Sequence, residues 1–117
     1  MKKRTPRNKL PPKVAVMAGP QSNLRRYMTV LRRQLPELRA RYHVCFLGIF
    51  GSYVRGTQRQ GSDLDVLVEF VHVPSLFEFV DLEERLSALL GVRVDLVMKD
   101  TLKPLIGQQI LNEVVGL

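Results

Sequence analysis

The sequence predicts an α/β (α+β) domain in which a small mixed sheet of three or more strands is flanked by helices. A length of 117 residues suits one compact domain. Apolar residues recur at spacings of three and four in several segments, which is typical of amphipathic helices. One short apolar run and two segments in which apolar and other residues alternate favour strands. Along the chain these segments follow the order helix, strand, strand, helix, strand, helix.

The beginning of the chain is predicted to be irregular. Residues 1–20 combine basic side chains with prolines and a glycine, a composition that indicates a flexible lead-in. We therefore divide the chain into a basic flexible N-terminal segment, residues 1–20, and a folded domain, residues 21–117.

The first predicted helix covers residues 21–42. Its apolar side chains lie three and four residues apart, and Ser22 or Asn23 is a candidate cap at its start. Proline lacks an N–H and clashes with the preceding turn, so Pro36 is expected to kink this helix or divide it in two.

Three strands are predicted after this helix. The apolar run Val44–Phe50 indicates a buried strand, and Cys45 within it is expected to be a buried structural thiol. Apolar and charged residues alternate over Asp63–Phe70 and again over Val92–Met98, which is typical of strands. Between the first two strands, Ser52–Arg55 is predicted to form one helical turn.

Two further helices are predicted. Ser75 and Glu78 have the spacing of a capping box, in which each side chain satisfies the other residue's backbone N–H. Asp100 or Thr101 is expected to cap the last helix, which is predicted to run to about Val114.

Charge is unevenly distributed along the chain, whose net charge is +7. It is +6 over residues 1–13, +5 over residues 14–41 and −4 over residues 42–117. The basic front could contact a nucleic acid, a nucleotide or an acidic protein, or could simply keep the chain soluble. A single cysteine excludes an intrachain disulfide and a cysteine-based zinc site. No apolar run approaches the roughly 18 residues of a membrane span, so we expect a cytoplasmic protein.

The most informative motif is a Gly-Ser pair, Gly51 and Ser52, followed after ten residues by Asp-x-Asp. Asp63 and Asp65 are two apart on a predicted strand, so both side chains point to the same face. Two carboxylates aimed at one point repel each other unless a cation lies between them. Oxygen ligands of this kind suit Mg²⁺, which takes its remaining ligands from water and substrate phosphates.

Asp95 adds a third carboxylate in the middle of an otherwise apolar strand. A carboxylate there is costly unless it is paired or binds a metal. If its strand neighbours that of Asp65, the three aspartates converge and form the ligand set of a two-metal phosphoryl-transfer site.

The Gly-Ser pair lies where a strand is predicted to turn into a helix. Backbone N–H groups at a helix start favour anions, and the Ser52 hydroxyl adds a donor, so Gly51 and Ser52 are candidate contacts for the phosphates of an NTP. Arg55 and Arg59, in the turn and loop beside the pair, are candidate triphosphate contacts or ordinary exposed arginines.

These residues together resemble a known family. The stretches FGSYVRGTQRQGSDLDVLVEF, VRVDLVMKD and ILNEVVGL are similar to the minimal nucleotidyltransferase (MNT) family of the polymerase β superfamily, and the match covers about residues 42–117. The short chain resembles the prokaryotic MNT-domain antitoxins in particular.

The resemblance implies a fold, a site and a partner. The fold would be a polymerase β-like palm, Asp63, Asp65 and Asp95 would hold two Mg²⁺ ions, and Gly51 and Ser52 would contact the triphosphate of ATP. Antitoxins of this family pair with a HEPN-domain toxin, and some transfer AMP from ATP to one of its tyrosines. The expected function is therefore that of a protein adenylyltransferase antitoxin.

Two alternatives remain open at this stage. The chain could neutralise a HEPN-domain toxin by binding alone, with transfer weak or lost. It could also modify a small molecule, as the aminoglycoside nucleotidyltransferases do, although those relatives carry further domains that bind the drug.

Overall fold

A computed structural model of the chain describes the backbone of residues 12–117 and the side chains of residues 23–117. Helix α1 spans Pro12–Tyr42. The prediction of irregular structure was therefore wrong for residues 12–20, and its remainder, residues 1–11, lies outside the described residues. Ser22 and Asn23 lie inside α1 and do not cap it. The division of the chain at residue 20 stays a prediction.

Helix α1 also continues through Pro36, so the predicted division of the helix is wrong. Pro36 has no N–H, so the carbonyl of Arg32 has no hydrogen-bond partner within the helix. Both residues are exposed, which leaves that carbonyl near solvent. Leu31 and Leu38 on either side of the proline are fully buried. Burial of this apolar stripe stabilises the helix across a residue with poor helix propensity.

The sheet has four strands: β1 (Val44–Phe50), β2 (Leu64–Phe70), β3 (Val94–Met98) and β4 (Val115–Gly116). Their order in space is β3-β2-β1-β4. The pairs β1–β2 and β1–β4 are antiparallel, whereas β2–β3 is parallel, so the sheet is mixed as predicted. The sequence prediction missed β4, because two exposed residues carry no alternation to recognise.

Three helices follow α1: α2 (Ser52–Arg55), α3 (Leu76–Leu90) and α4 (Pro104–Glu113). The capping box at the start of α3 is confirmed. The Glu78 N–H donates to Ser75 Oγ at 3.1 Å, and the Ser75 N–H donates to Glu78 Oε1 at 2.8 Å.

The last helix begins later than predicted. Asp100 and Thr101 belong to a 3-10 turn, and Lys103 is the N-terminal cap residue of α4. Pro104 occupies the first helical position, where its fixed φ and missing N–H cost nothing, so it marks the true start.

The core lies between the sheet and the two long helices. Buried side chains from α1, α3 and the three longer strands form one cluster, which includes Leu31, Leu38, Ile49, Leu64, Val66, Leu82, Leu86 and Val94. Cys45 is exposed, so the predicted buried thiol is wrong. The register of β1 against β2 shifts between Val44 and Phe46, and the irregularity turns the intervening cysteine outward. None of the described helices is both long and apolar enough to span a membrane.

Replacing Pro36 with alanine is expected to raise the free energy of unfolding by about 1–3 kcal/mol, because alanine restores an N–H inside α1. Thermal denaturation followed by circular dichroism measures the change. Pro74→Ala is the control, since Pro74 precedes α3 and interrupts no helical hydrogen bond. Loss of its rigidity is expected to lower stability by up to about 1 kcal/mol. Equal effects of the two variants would contradict a continuous α1.

Candidate active site

Gly51 forms the turn between β1 and α2 and is held against Asp65. Its φ of 81° lies in the left-handed region, where glycine is favoured. A Cβ atom at this position would lie 2.1 Å from Asp65 Oδ2, which is far inside van der Waals contact. The structure therefore requires glycine for two reasons, backbone conformation and the close approach of a carboxylate.

Ser52 begins α2 directly after this turn and is partly buried. The N–H groups of Val54 and Arg55 both donate to the Gly51 carbonyl, at 3.0 and 3.1 Å. The first N–H groups of a helix have no partner within it, so those of Ser52 and Tyr53 are directed away from the helix body. The predicted strand–turn–helix arrangement around the Gly-Ser pair is confirmed.

Asp65 and Asp95 are direct neighbours in the parallel pairing of β2 with β3. The prediction depended on these two strands being adjacent, and that adjacency is confirmed. Neighbouring strands lie about 4.8 Å apart, so the two carboxylates leave the sheet side by side. The flanking residues Leu64 and Val66 are fully buried, which places Asp65 on the face opposite the core.

Burial raises the pKa of the Asp65 carboxyl from 3.8 to about 6. The negative charges of Asp95, Asp63 and Glu113 act in the same direction, and the positive charge of Arg55 acts against them. Burial and the neighbouring carboxylates both disfavour the negative charge of Asp65, and only Arg55 favours it. The site is therefore electrostatically suited to a cation.

The aspartates are aligned but not gathered around one point. Among residues 23–117, whose side chains the structure describes, no three His, Cys, Asp or Glu side chains form a group able to hold a metal ion. Asp63 lies one residue before β2 and points towards Arg93, with Oδ1 and Nε 3.9 Å apart. Asp95 is exposed. The three carboxylates together are an oxygen donor set of the kind that Mg²⁺ prefers.

Glu113 is the residue that sequence reasoning missed. Its Oε2 accepts a hydrogen bond from the Gly51 N–H at 2.7 Å. Both of its carboxylate oxygens accept from Arg55 Nη1 at 3.0 Å. It is the last residue of α4, 62 positions from Gly51, and no local pattern signals so distant a contact.

An open cavity of about 440 Å³ lies between the turn and α4. Of the predicted site residues, it brings together Gly51, Arg55 and Asp65. The residues that line it are Phe50, Gly51, Arg55, Asp65, Gln109, Ile110 and Glu113. Ser52, Asp63 and Asp95 do not line it: Ser52 begins α2, Asp63 precedes β2, and Asp95 pairs with Asp65 from β3. Arg59 is exposed in the following loop, where its N–H donates to Ser62 Oγ at 2.8 Å, and the cavity does not include it.

A family model described as a nucleotidyltransferase domain matches residues 31–117 of the chain. The chain belongs to the nucleotidyltransferase-domain family. It is an enzyme of the nucleotidyltransferase type, and the resemblance noted in the sequence is confirmed. The match includes the Gly-Ser turn and all three aspartates of the candidate site.

Relatives within this family are similar over most of their length. The protein adenylyltransferase MntA of Thermococcus cleftensis is 53% identical over 87 residues, which cover 74% of this chain and 88% of that protein. A solved structure provisionally described as a minimal nucleotidyltransferase is 36% identical, with a TM-score of 0.66 over 85% of this chain and 96% of that chain. A toxin–antitoxin structure with AMP-PNP is 26% identical, with a TM-score of 0.59 over 80% of this chain and 71% of that chain.

Asp65→Asn is expected to stabilise the metal-free nucleotidyltransferase domain at neutral pH. The pKa of Asp65 is higher in the folded state than in the unfolded state. Its carboxyl therefore stabilises the folded state below about pH 4, and this contribution is lost as the pH rises through about 6. Asparagine cannot ionise, so the variant is expected to gain about 1 kcal/mol above about pH 7, after allowance for solvent screening, and little near pH 4.

Thermal denaturation in a chelator at both pH values measures this difference. Gln60→Ala in the loop before β2 serves as the control, since it changes no charge. A stabilisation by Asp65→Asn that is equal at both pH values would contradict the electrostatic account.

Proposed function

We propose that the chain is a Mg²⁺-dependent protein adenylyltransferase that transfers AMP from ATP to a hydroxyl, with a tyrosine of a HEPN-domain toxin as acceptor. In this proposal it acts as the toxin's antitoxin in the cytoplasm. The observation that carries the proposal is the pairing of Asp65 with Asp95 beside the Gly51 turn. The adenylyltransferase name of the Thermococcus relative and the toxin–antitoxin structure with AMP-PNP support it.

Asp63, Asp65 and Asp95 are the residues that would hold Mg²⁺. When bound, the metal would neutralise phosphate charge and stabilise the charge that develops on the leaving oxygens. Oxygen ligands from three carboxylates fit this ion, and the crowding of negative charge on Asp65 favours its entry.

The Gly-Ser turn binds and orients the triphosphate. The Ser52 hydroxyl and the N–H groups at the start of α2 donate hydrogen bonds to phosphate oxygens. Arg59 does not line the cavity, so its contact with the triphosphate stays a prediction. Arg55 lies in the cavity, but its guanidinium is bound to Glu113.

The acceptor hydroxyl attacks the α-phosphorus of ATP in line with the leaving group. A bond forms between the acceptor oxygen and the α-phosphorus, the bond to the α,β-bridging oxygen breaks, and pyrophosphate leaves. In this proposal the Asp95 carboxylate, which is exposed, accepts the hydroxyl proton. Catalysis then consists mainly of positioning and electrostatic stabilisation.

A protein acceptor is favoured by the openness of the site. Asp95 and Arg55 are exposed, and Asp63 is 41% exposed, so the reacting centre lies at the surface. A tyrosine side chain on another protein can reach such a centre. A small molecule would find few enclosing contacts, because binding sites for small molecules normally bury most of the ligand.

The expected result is that the wild-type chain, incubated with ATP, Mg²⁺ and the product of the neighbouring gene, adds the mass of AMP to that product. Asp65→Asn and Asp95→Asn are expected to lower the transfer rate at least about 100-fold, because several kcal/mol of charge stabilisation are lost. Glu69→Gln, further along the same face of β2, is the control and is expected to retain transfer. Intact mass spectrometry measures the product.

Two other outcomes would replace this proposal. If the neighbour gains no AMP and Asp65→Asn neutralises the toxin as well as wild type does, the chain acts by binding alone. If transfer occurs to an aminoglycoside in place of the protein, the chain is a small-molecule nucleotidyltransferase.

We also propose that the basic front of the chain contacts a nucleic acid. Residues 1–41 carry twelve basic residues and one acidic residue. Arg25, Arg32 and Arg39 are exposed and seven residues apart, so they form one stripe along α1. Regularly spaced guanidinium groups suit a phosphate backbone.

Reversing the charge of Arg25, Arg32 and Arg39 to glutamate is expected to weaken RNA binding and to reduce its salt dependence. Deleting residues 1–13 tests the contribution of the preceding segment. Fluorescence anisotropy with a labelled RNA at several salt concentrations measures both. Unchanged binding in both variants would leave the basic front with a role in solubility alone.

A further inference from the structure

Glu113 ties the last helix to the turn that the proposed function assigns to phosphate binding. Its carboxylate accepts the Gly51 N–H at 2.7 Å and Arg55 Nη1 at 3.0 Å. Gly51 precedes α2 and Arg55 ends it, so one carboxylate holds both ends of this four-residue helix. So short a helix is not stable by itself, and its geometry depends on contacts of this kind.

The position of Glu113 is fixed by the strand that follows α4. On its C-terminal side the chain enters β4, where Val115 pairs with Ile49 of β1. Strand β1 ends at Phe50, immediately before Gly51. The carboxylate is thus anchored to the same strand that delivers the turn.

The contact between Glu113 and Arg55 is partly shielded from solvent, unlike an ordinary surface ion pair. The Glu113 side chain is 25% exposed, whereas that of Arg55 is 54% exposed. Hydrogen bonds to a charged acceptor are shorter and stronger than neutral ones, and here a backbone donor and a guanidinium share one carboxylate. An exposed ion pair by itself contributes little to stability. Here the Glu113 carboxylate also accepts the Gly51 N–H, so the ion pair is linked to the backbone of the turn.

A carboxylate at the rim of a triphosphate site is unfavourable unless it has a structural purpose, because it repels the substrate. In the described structure its charge is matched by Arg55. We infer that Glu113 is a positioning residue, which with Arg55 clasps the Gly51–Arg55 turn so that Ser52 and the N–H groups beside it face the phosphates of the nucleotide. Arg55 therefore acts through Glu113 and not as a triphosphate contact. This inference rests on the proposed function for the identity of the nucleotide.

The test compares Glu113→Ala, Arg55→Ala and the double variant, with Asn112→Ala as control. Asn112 is the neighbouring exposed residue of α4, and its side chain accepts only from Gln108. Calorimetry gives the Kd for ATP with Mg²⁺, and the transfer assay gives kcat and KM. Each single variant is expected to lower kcat/KM about 10- to 100-fold, because the turn is misplaced. The double variant is expected to lose no more than the worse single variant, since both residues act as one unit.

A different role for Arg55 predicts the opposite pattern. If Arg55 contacts the triphosphate directly, Glu113→Ala frees it and ATP binds more tightly, whereas Arg55→Ala weakens ATP binding. That result overturns the inference. Glu113→Gln keeps an acceptor for the Gly51 N–H and is expected to retain more activity than Glu113→Ala. It also supplies the test should the alanine variant not fold.

A readout that needs no nucleotide separates this inference from the proposed function. The amide proton of Gly51 donates to a carboxylate, so its NMR resonance is expected to move upfield in Glu113→Ala and to stay in place in Asn112→Ala. An unmoved resonance in both overturns the clasp whatever the enzyme's activity. If the resonance moves and ATP binding weakens while wild type transfers no AMP, the clasp stands and only the proposed function fails.

Discussion

The parallel pairing of β2 with β3 is the constraint on which the site depends. It fixes Asp65 opposite Asp95 and so brings two like charges to adjacent strands. This arrangement is unfavourable by itself, since burial and then the charge of Asp95 both raise the pKa of Asp65. The other face of the same strands offsets this cost. There the flanking residues are between 0% and 5% exposed: Leu64, Val66, Val94 and Leu96. Burial of that apolar surface holds the strands in register, and the register holds the carboxylates together.

The turn at Gly51 is positioned by carboxylates on two sides. Asp65 occupies the space that a side chain at position 51 would need, and Glu113 accepts the Gly51 N–H. Strand β2 therefore contributes both a metal-ligand candidate and one wall of the turn that is proposed to bind phosphate. This dual contact gives a physical reason why the Gly-Ser pair and the Asp-x-Asp motif occur together. A change in the position of one alters the position of the other, so the two motifs form a single structural unit.

Local patterns in the sequence predicted most of the elements and part of the site. Alternation identified β2, and a capping box identified α3, because both signals lie within a few residues of the structure they specify. Long-range effects explain the failures. Burial of its apolar stripe keeps α1 continuous through Pro36, and an irregular strand pairing exposes Cys45. Strand β4 and the role of Glu113 exist only because the chain end returns to β1. No pattern within residues 104–117 contains that information.

The charge balance of the site bears on how a substrate can enter it. Four carboxylates, Asp63, Asp65, Asp95 and Glu113, act on one small region, and Arg55 neutralises only part of their charge. A free triphosphate would be repelled by this field, whereas a nucleotide that arrives with its cation brings the charge that the aspartates lack. The acceptor side is different, since Asp95 is exposed and little of the described structure encloses it. In the proposed function, selectivity for the nucleotide resides in this chain, and selectivity for the acceptor comes from a surface that the acceptor brings with it. A folded protein can supply such a surface through contacts remote from the reacting hydroxyl, and a small molecule cannot.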